Sequence, residues 1–191
     1  MYCDTLGLTA IQSPASTYTT PSTGQPTTQP IPQLTQRHTM AANSLPEGYT
    51  LVEGYPSLED YQNLRAVCVS APKTPEQITA SLKGSWYGVY VVGDAAPTKA
   101  VAMGRVIGDG GWYFLIADMV TLPEHRRKGL ADVVMKTLLA RIKSRAAKGT
   151  AYVTLGADPP GLKLYRRNGF KDTLPDVTGM ELHIECEGLE E

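Results

Sequence analysis

Between residues 86 and 122 the chain carries three β-branched and aromatic runs separated by short turn signals. WYGVYVV (86–92) is followed by GDAAPT and KAVAMGRVI (99–107), and DGG (109–111) leads into WYFLIADMVTL (112–122). Runs of this composition bounded by Gly, Pro and Asp read as strands, and connections this short join only antiparallel neighbours. The segment predicts a three-stranded antiparallel meander, and the remaining elements must pack on it.

The flanks supply those elements. YTLVE (49–53) reads as a short strand. Ser57 with Asp60, and Thr74 with Pro75 and Gln77, are N-terminal signals for two helices, the second ending near Lys83 and Gly84. After residue 129, Leu130, Val133, Val134, Leu138 and Ile142 fall at helical spacing on one face, while Asp132, Lys136, Lys143 and Arg145 take the other. AYVTLGA (151–157) reads as a strand, PGLKLYRRNGF (160–170) as a short helix stopped by Gly169, and MELHIE (180–185) as a final alternating strand. The order β-α-α-β-β-β-α-β-α-β predicts an α/β chain of the α+β kind, with a mixed, mainly antiparallel sheet flanked by helices.

Composition narrows the partners. The chain has 191 residues and a formal net charge of −1, which points neither to nucleic acid nor to an anionic membrane surface. No apolar stretch approaches the roughly 18 residues needed to cross a bilayer. Cys3, Cys68 and Cys186 are odd in number and widely spaced, which argues against a disulfide framework or a zinc site and fits a reducing, cytoplasmic setting. Cys68, beside Leu64 and Val67, reads as a buried helix position. The first 39 residues hold ten Thr, five Pro, five Gln and three Ser, with Asp4 and Arg37 as the only charges. Such a segment buries too little apolar surface to offset its ordering entropy, so residues 1–44 are expected to be a disordered tail and 45–191 the folded domain.

The stretch PEHRRKGLA (123–131) lies between the last meander strand and the long helix. Pro123 cannot continue strand pairing, Gly129 permits a positive φ or a close approach by a ligand, and Ala131 keeps the following position small. Arg126, Arg127 and Lys128 crowd the positive end of a helix dipole, which is unfavourable by a few tenths to about 1 kcal/mol unless an anion sits there. A solvated basic turn is the other reading. The spacing is not that of a P-loop, and a single glycine after antiparallel strands does not make a dinucleotide fingerprint.

VTLPEHRRKGLADVVMKTLL resembles the acetyl-CoA-binding motif of the GNAT N-acetyltransferase superfamily, Arg/Gln-x-x-Gly-x-Gly/Ala, with Arg126, Gly129 and Ala131 in its three places. LKLYRRNGF is similar to the family's Leu-Tyr-x-x-x-Gly-Phe segment, with Tyr165, Gly169 and Phe170 in register. The likeness spans about residues 45 to 185 and implies a GNAT-like fold. It also implies acetyl-CoA as cofactor, with Met119, Val120 and Thr121 pairing to its pantetheine arm. The backbone amides of Arg126, Arg127, Lys128, Gly129, Leu130 and Ala131 would hold its pyrophosphate, and an amide near Val120 would polarise the thioester carbonyl.

The same resemblance makes Tyr165 a candidate acid for the departing thiolate and places it at the cofactor. Asp118, directly before the pantetheine strand residues, is a candidate to orient or deprotonate an amine; Asp109 and His183 are further candidates. Asp158 occupies the place where the family often has Asn, and an ionised carboxylate cannot donate the hydrogen bond an amide would. The reaction implied is acetyl transfer to a primary amine, of a small molecule in the first instance. A peptide or lysine acceptor, a non-catalytic acyl-CoA-binding module and a plain adaptor are the alternatives. Trp86, Tyr87, Trp112 and Tyr113 are expected in core or rim packing. The acceptor's identity stays open, as does the choice between monomer and homodimer.

Overall fold

The computed structural model describes residues 45–69, 73–175, 177 and 180. The Thr/Pro/Gln-rich tail, the expected strand 180–185 past its first residue, and His183 lie outside the described residues.

The meander forms as the strand runs require. β2 (Tyr87–Gly93), β3 (Ala96–Gly108) and β4 (Tyr113–Thr121) pair antiparallel, and β1 (Tyr49–Glu53) adds antiparallel to β2. β5 (Tyr152–Thr154) joins β4 in parallel, giving the sheet order β1-β2-β3-β4-β5. A parallel neighbour needs a crossover, and α3 (Leu130–Arg145) provides it. The β2–β3 turn is tighter than the sequence suggests, with only Asp94 and Ala95 outside the strands. The register jumps from Gly93↔Ala96 to Val92↔Ala100, so Pro97, which has no N–H to donate, falls in the irregular step.

α1 (Leu58–Cys68) and α2 (Pro75–Lys83) begin where their caps predict. Ser57 Oγ accepts from the Asp60 amide at 3.1 Å, and Thr74 and Gln77 exchange both bonds of a capping box. α3 packs on one face of β2, β3 and β4, with Val134, Met135 and Leu138 fully buried against Val89, Val91 and Phe114. α1 covers the other face of β3 and β4, where Tyr61, Leu64, Met103 and Val120 form a second buried cluster. The C-terminal helix is shorter than expected. Pro159 and Pro160 open it as a single 3-10 turn, α4 proper runs Leu162–Arg167, and Gly169 at φ 91° stops it.

One irregularity in β4 decides which residues face which helix. Met103 pairs with Val120 and Arg105 with Ala117, so Gly104 alone opposes both Asp118 and Met119. That is a β-bulge, and Asp118 carries it at φ 51°, a conformation that costs a non-glycine residue roughly 1–3 kcal/mol. Before the bulge, Phe114 and Ile116 point into the α3 core; after it, Met119 does. The alternation has slipped by one. Gly104 makes this fit, because a Cβ there would stand 2.5 Å from Met119 Sδ and 2.8 Å from Val134 Cγ1. Gly104→Ala is therefore expected to destabilise the protein by about 1–3 kcal/mol. The check is a lowered midpoint of chemical denaturation at unchanged slope.

Candidate active site

β4 and β5 part company early. Their pairing covers only Tyr113–Leu115 against Tyr152–Thr154, while β4 continues to Thr121. From Ile116 onward β4 has a strand partner only in β3 among the described residues, and Met119, Val120 and Thr121 lie on this stretch beyond the β5 pairing. The Thr121 carbonyl is already engaged, accepting from Arg126 Nε at 3.0 Å and from Cys68 Sγ at 3.4 Å. The Thr121 hydroxyl is buried without a partner among the described residues.

Beyond Thr121 the chain makes a 3-10 turn at Pro123–His125 and enters α3 through Gly129. Arg127 and Gly129 both have positive φ, 58° and 85°. The Arg126 amide bonds back to Pro123, and the amides of Asp132 and Val133 bond to the Gly129 carbonyl. Between them, the amides of Arg127, Lys128, Gly129, Leu130 and Ala131 donate to no acceptor among the described residues. No side chain caps the helix. Nothing lies within 4 Å of where a Gly129 Cβ would be, and an open depression of about 490 Å³ bounded by Leu45, Glu47, Lys128, Gly129 and Asp132 lies alongside. Unpaired amides at the positive end of a 16-residue helix suit a diphosphate.

The cations do something different from what their charge suggests. Arg126 is spent on the Thr121 carbonyl. Lys128 Nζ donates to Tyr49 Oη at 2.8 Å, and the Tyr49 hydroxyl is hydrogen-bonded to His125 Nδ1 at 2.8 Å. Two of the three cations thus pin the loop, to β4 and to β1.

On the α1 face, Asp118 sits in a polar knot. Its carboxylate accepts from the Tyr61 hydroxyl, from Arg65 Nη1 and, at 2.5 Å, from Arg105 Nε. Arg105 continues to Ser85 Oγ at 2.8 Å. The Asp118 side chain is only 7% exposed. Burial alone would raise its pKa, but the hydrogen bonds from Tyr61 and Arg105 and the two guanidinium charges outweigh that and hold it below the ordinary range. Burial, and then the Asp118 carboxylate, push the Tyr61 hydroxyl up to about 12. A carboxylate with both oxygens so engaged is a weak proton acceptor. The expectation that Asp118 orients or deprotonates an amine does not include this knot, and Arg105 is not singled out by the sequence. Tyr61 and Arg65 give no signal of it either.

Tyr165 stands in α4, half-buried, its ring 6.2 Å from Phe170 and packed over Gly161. It packs on the same core cluster as Met119, and its hydroxyl has no partner among the described residues. Burial and the negative charge of Asp158 raise its pKa, which keeps the phenol protonated. Asp158 is exposed and precedes the 3-10 turn without capping it. Asp109 folds back on its own turn, accepting from the amides of Gly111, Trp112 and Tyr113. Trp86 and Tyr87 pack as core, whereas Trp112 and Tyr113 lie at the surface, 60% and 47% exposed.

Asp132 joins the two motifs, a role that its place in an ordinary helix turn gave no means of predicting. Its carboxylate binds Lys136 at 2.8 Å, Arg167 at 2.9 Å and Asn168 Nδ2 at 3.0 Å, tying the first turn of α3 to the end of α4. Burial raises its pKa, but those three donors prevail and bring it down to about 2. A carboxyl depressed below its unfolded value of about 3.9 stabilises the fold above that pH and loses the contribution on the way down to the folded value. Asp132→Asn is therefore expected to flatten the fall in melting temperature between about pH 4 and pH 2, as followed by thermal denaturation in a pH series.

The chain has solved relatives of the same architecture. The Acetyltransferase (GNAT) domain family matches residues 85–172. A probable acetyltransferase of unknown function from meticillin-resistant Staphylococcus aureus is 32% identical, with a TM-score of 0.65; the match covers 71% of this chain and 99% of that one. A GNAT-family acetyltransferase from Streptococcus pneumoniae is 25% identical, with a TM-score of 0.58, covering 73% and 99%. Glucosamine-6-phosphate N-acetyltransferase from Arabidopsis thaliana, at 17% identity and a TM-score of 0.55 over 73% and 100%, shares the fold. No curated protein matches the sequence. Among the described residues no helix is long and apolar enough to cross a membrane. A parted β4–β5 pair, a helix entered through free amides and a third-identical relative spanned almost end to end lead to one assignment: the chain belongs to the GNAT family and is an acyltransferase.

Proposed function

We propose that the protein transfers the acetyl group of acetyl-CoA to a primary amine of a small molecule, by direct attack of the amine on the thioester. The observation that carries this reading is the run of five unpartnered amides, Arg127 to Ala131, at the end of a strand whose outer edge is open. Acetyl-CoA supplies the activated thioester and a thiolate leaving group. In this reading the five amides hold the pyrophosphate, and the free edge at Met119 and Val120 aligns the pantetheine arm. Thr121 contributes less than its neighbours, because its carbonyl is already taken. An amide near Val120 polarises the carbonyl under attack, a contribution of about 2.7–4 kcal/mol where such donors have been removed. Tyr165 gives its proton to the thiolate, supported by its free hydroxyl and its raised pKa. Arg126 and Lys128 act as pins of the loop more than as phosphate ligands, while the Asp158 charge acts on Tyr165.

The test is a thermal-shift and calorimetric titration with acetyl-CoA, followed by thiol release over a panel of small primary amines and lysine peptides. The proposal expects stabilisation by acetyl-CoA and turnover with at least one small amine. Binding with turnover only on peptides would reassign the acceptor, and absence of binding would overturn the reading.

A further inference from the structure

The polar knot on the α1 face uses three side chains from two elements, Tyr61 and Arg65 of α1 and Arg105 of β3, to hold one residue of β4. We propose that Asp118, with Arg105 and Arg65, is a positioning clamp for the β4 backbone at the reaction centre and not a proton acceptor. The inference rests on the acetyltransfer reading and adds to it the residues that set its oxyanion-binding backbone.

Three observations carry it. First, Asp118 sits at the bulge in a left-handed conformation that aspartate tolerates better than most non-glycine residues but that still needs fixing in place. Donors from α1 and β3 fix it from both sides. Second, the slip in alternation and the clamp depend on each other. With regular alternation, position 118 would follow Phe114 and Ile116 into the apolar α3 core, burying a carboxylate without a partner. The bulge turns it to the α1 face, where Tyr61, Arg65 and Arg105 receive it. Third, the bulge leads directly into Met119 to Thr121, the part of β4 that runs on beyond its pairing with β5. The peptide planes there follow from the turn taken at 118, so the clamp fixes where the amides point. A general base needs an oxygen free to meet the amine and a pKa near working pH, and Asp118 offers neither.

The experiment uses the full chain, with Asp118→Asn, Arg105→Gln and the double variant, and Arg65→Lys as a milder probe should the others fail to fold. Backbone amide NMR reports residues 118–121 and 127–131; calorimetry reports acetyl-CoA affinity; kcat is followed with the fastest amine of the panel. The clamp predicts that both single variants move the amide resonances of 118–121 and leave those of 127–131 in place. Acetyl-CoA affinity stays within about threefold, since the phosphate amides are untouched, and kcat falls by about 10- to 100-fold, less than the roughly 100- to 1000-fold cost of removing an oxyanion donor outright. The double variant should be no slower than the worse single one, because the residues act as one unit. Arg65→Lys, which keeps a cation on α1, should retain more activity than Arg105→Gln. Unmoved 118–121 resonances would overturn the proposal. So would loss of the acid limb of the pH–rate profile in Asp118→Asn with Arg105→Gln at the wild-type rate, the pattern of a base. If the wild type binds no acetyl-CoA, the acetyltransfer reading fails, while the amide resonances still judge the clamp.

Discussion

Replacing Gly129 by glutamate is expected to weaken acetyl-CoA binding by about a hundredfold or more, equivalent to about 2.7 kcal/mol. Two effects combine. A side chain at φ 85° strains the turn from which α3 starts, and a carboxylate there is set beside amides that, in our reading, carry a diphosphate. Juxtaposed like charges cost several kcal/mol where water is partly excluded. The fold should survive, because nothing lies within 4 Å of the new Cβ. Gly129→Ala separates the two contributions: it keeps the strain and omits the charge. Lys128→Ala is the contrasting control. Its ammonium is bound to Tyr49 at 2.8 Å on the exposed surface, so its removal should cost no more than about 1 kcal/mol. Calorimetry across the three variants decides. Equal losses for Lys128→Ala and Gly129→Glu would mean that side-chain charge, not backbone amides, holds the cofactor.

That ranking keeps to the expectation that backbone amides, with the cations secondary, hold the pyrophosphate. RRK is conspicuous in a chain of net charge −1, yet Arg126 and Lys128 turn out to fasten the loop to Thr121 and Tyr49. The strands, the two capped helices and the long helix were legible because their signals are local: alternation, turn residues, and a polar side chain three residues ahead of its amide. The order of motifs was legible for the same reason. The bulge at Asp118 was not, since nothing in DMVT announces an extra residue; it exists because Gly104, on another strand, leaves room for Met119. The partners of Asp118 were equally hidden. Tyr61 and Arg65 lie more than fifty residues away and look like ordinary positions of an amphipathic helix. The Asp132 link to Arg167 and Asn168 is of this kind too, a long-range contact between two locally unremarkable turns. Function here draws on both sorts of information. The loop before α3 is local, and the geometry of β4 that leads into it is not.

Tyr165→Phe is expected to lower kcat by about a hundredfold or more, the usual reach of a single proton donor, while acetyl-CoA affinity and melting temperature stay close to wild type. The structural side of this expectation follows from what the hydroxyl does not do. It has no partner among the described residues, and the ring keeps its contacts with Phe170 and Gly161 after the oxygen is gone. A phenylalanine therefore loses the proton and little else. The pH dependence gives the assignment its sharpest check. Burial, reinforced by the Asp158 charge, raises the Tyr165 pKa above its ordinary value. An acid works only while protonated, so the wild-type rate should fall through this group only above about pH 10. The variant should lack that high-pH fall and run uniformly slower beneath it. Asp158→Ala removes one cause of the raised pKa and should move the limb toward lower pH without abolishing turnover. A Tyr165→Phe enzyme at the wild-type kcat would remove the tyrosine from the chemistry. Loss of acetyl-CoA binding in step with kcat would make it a packing residue of the cofactor site. The acid assignment requires the two constants to separate.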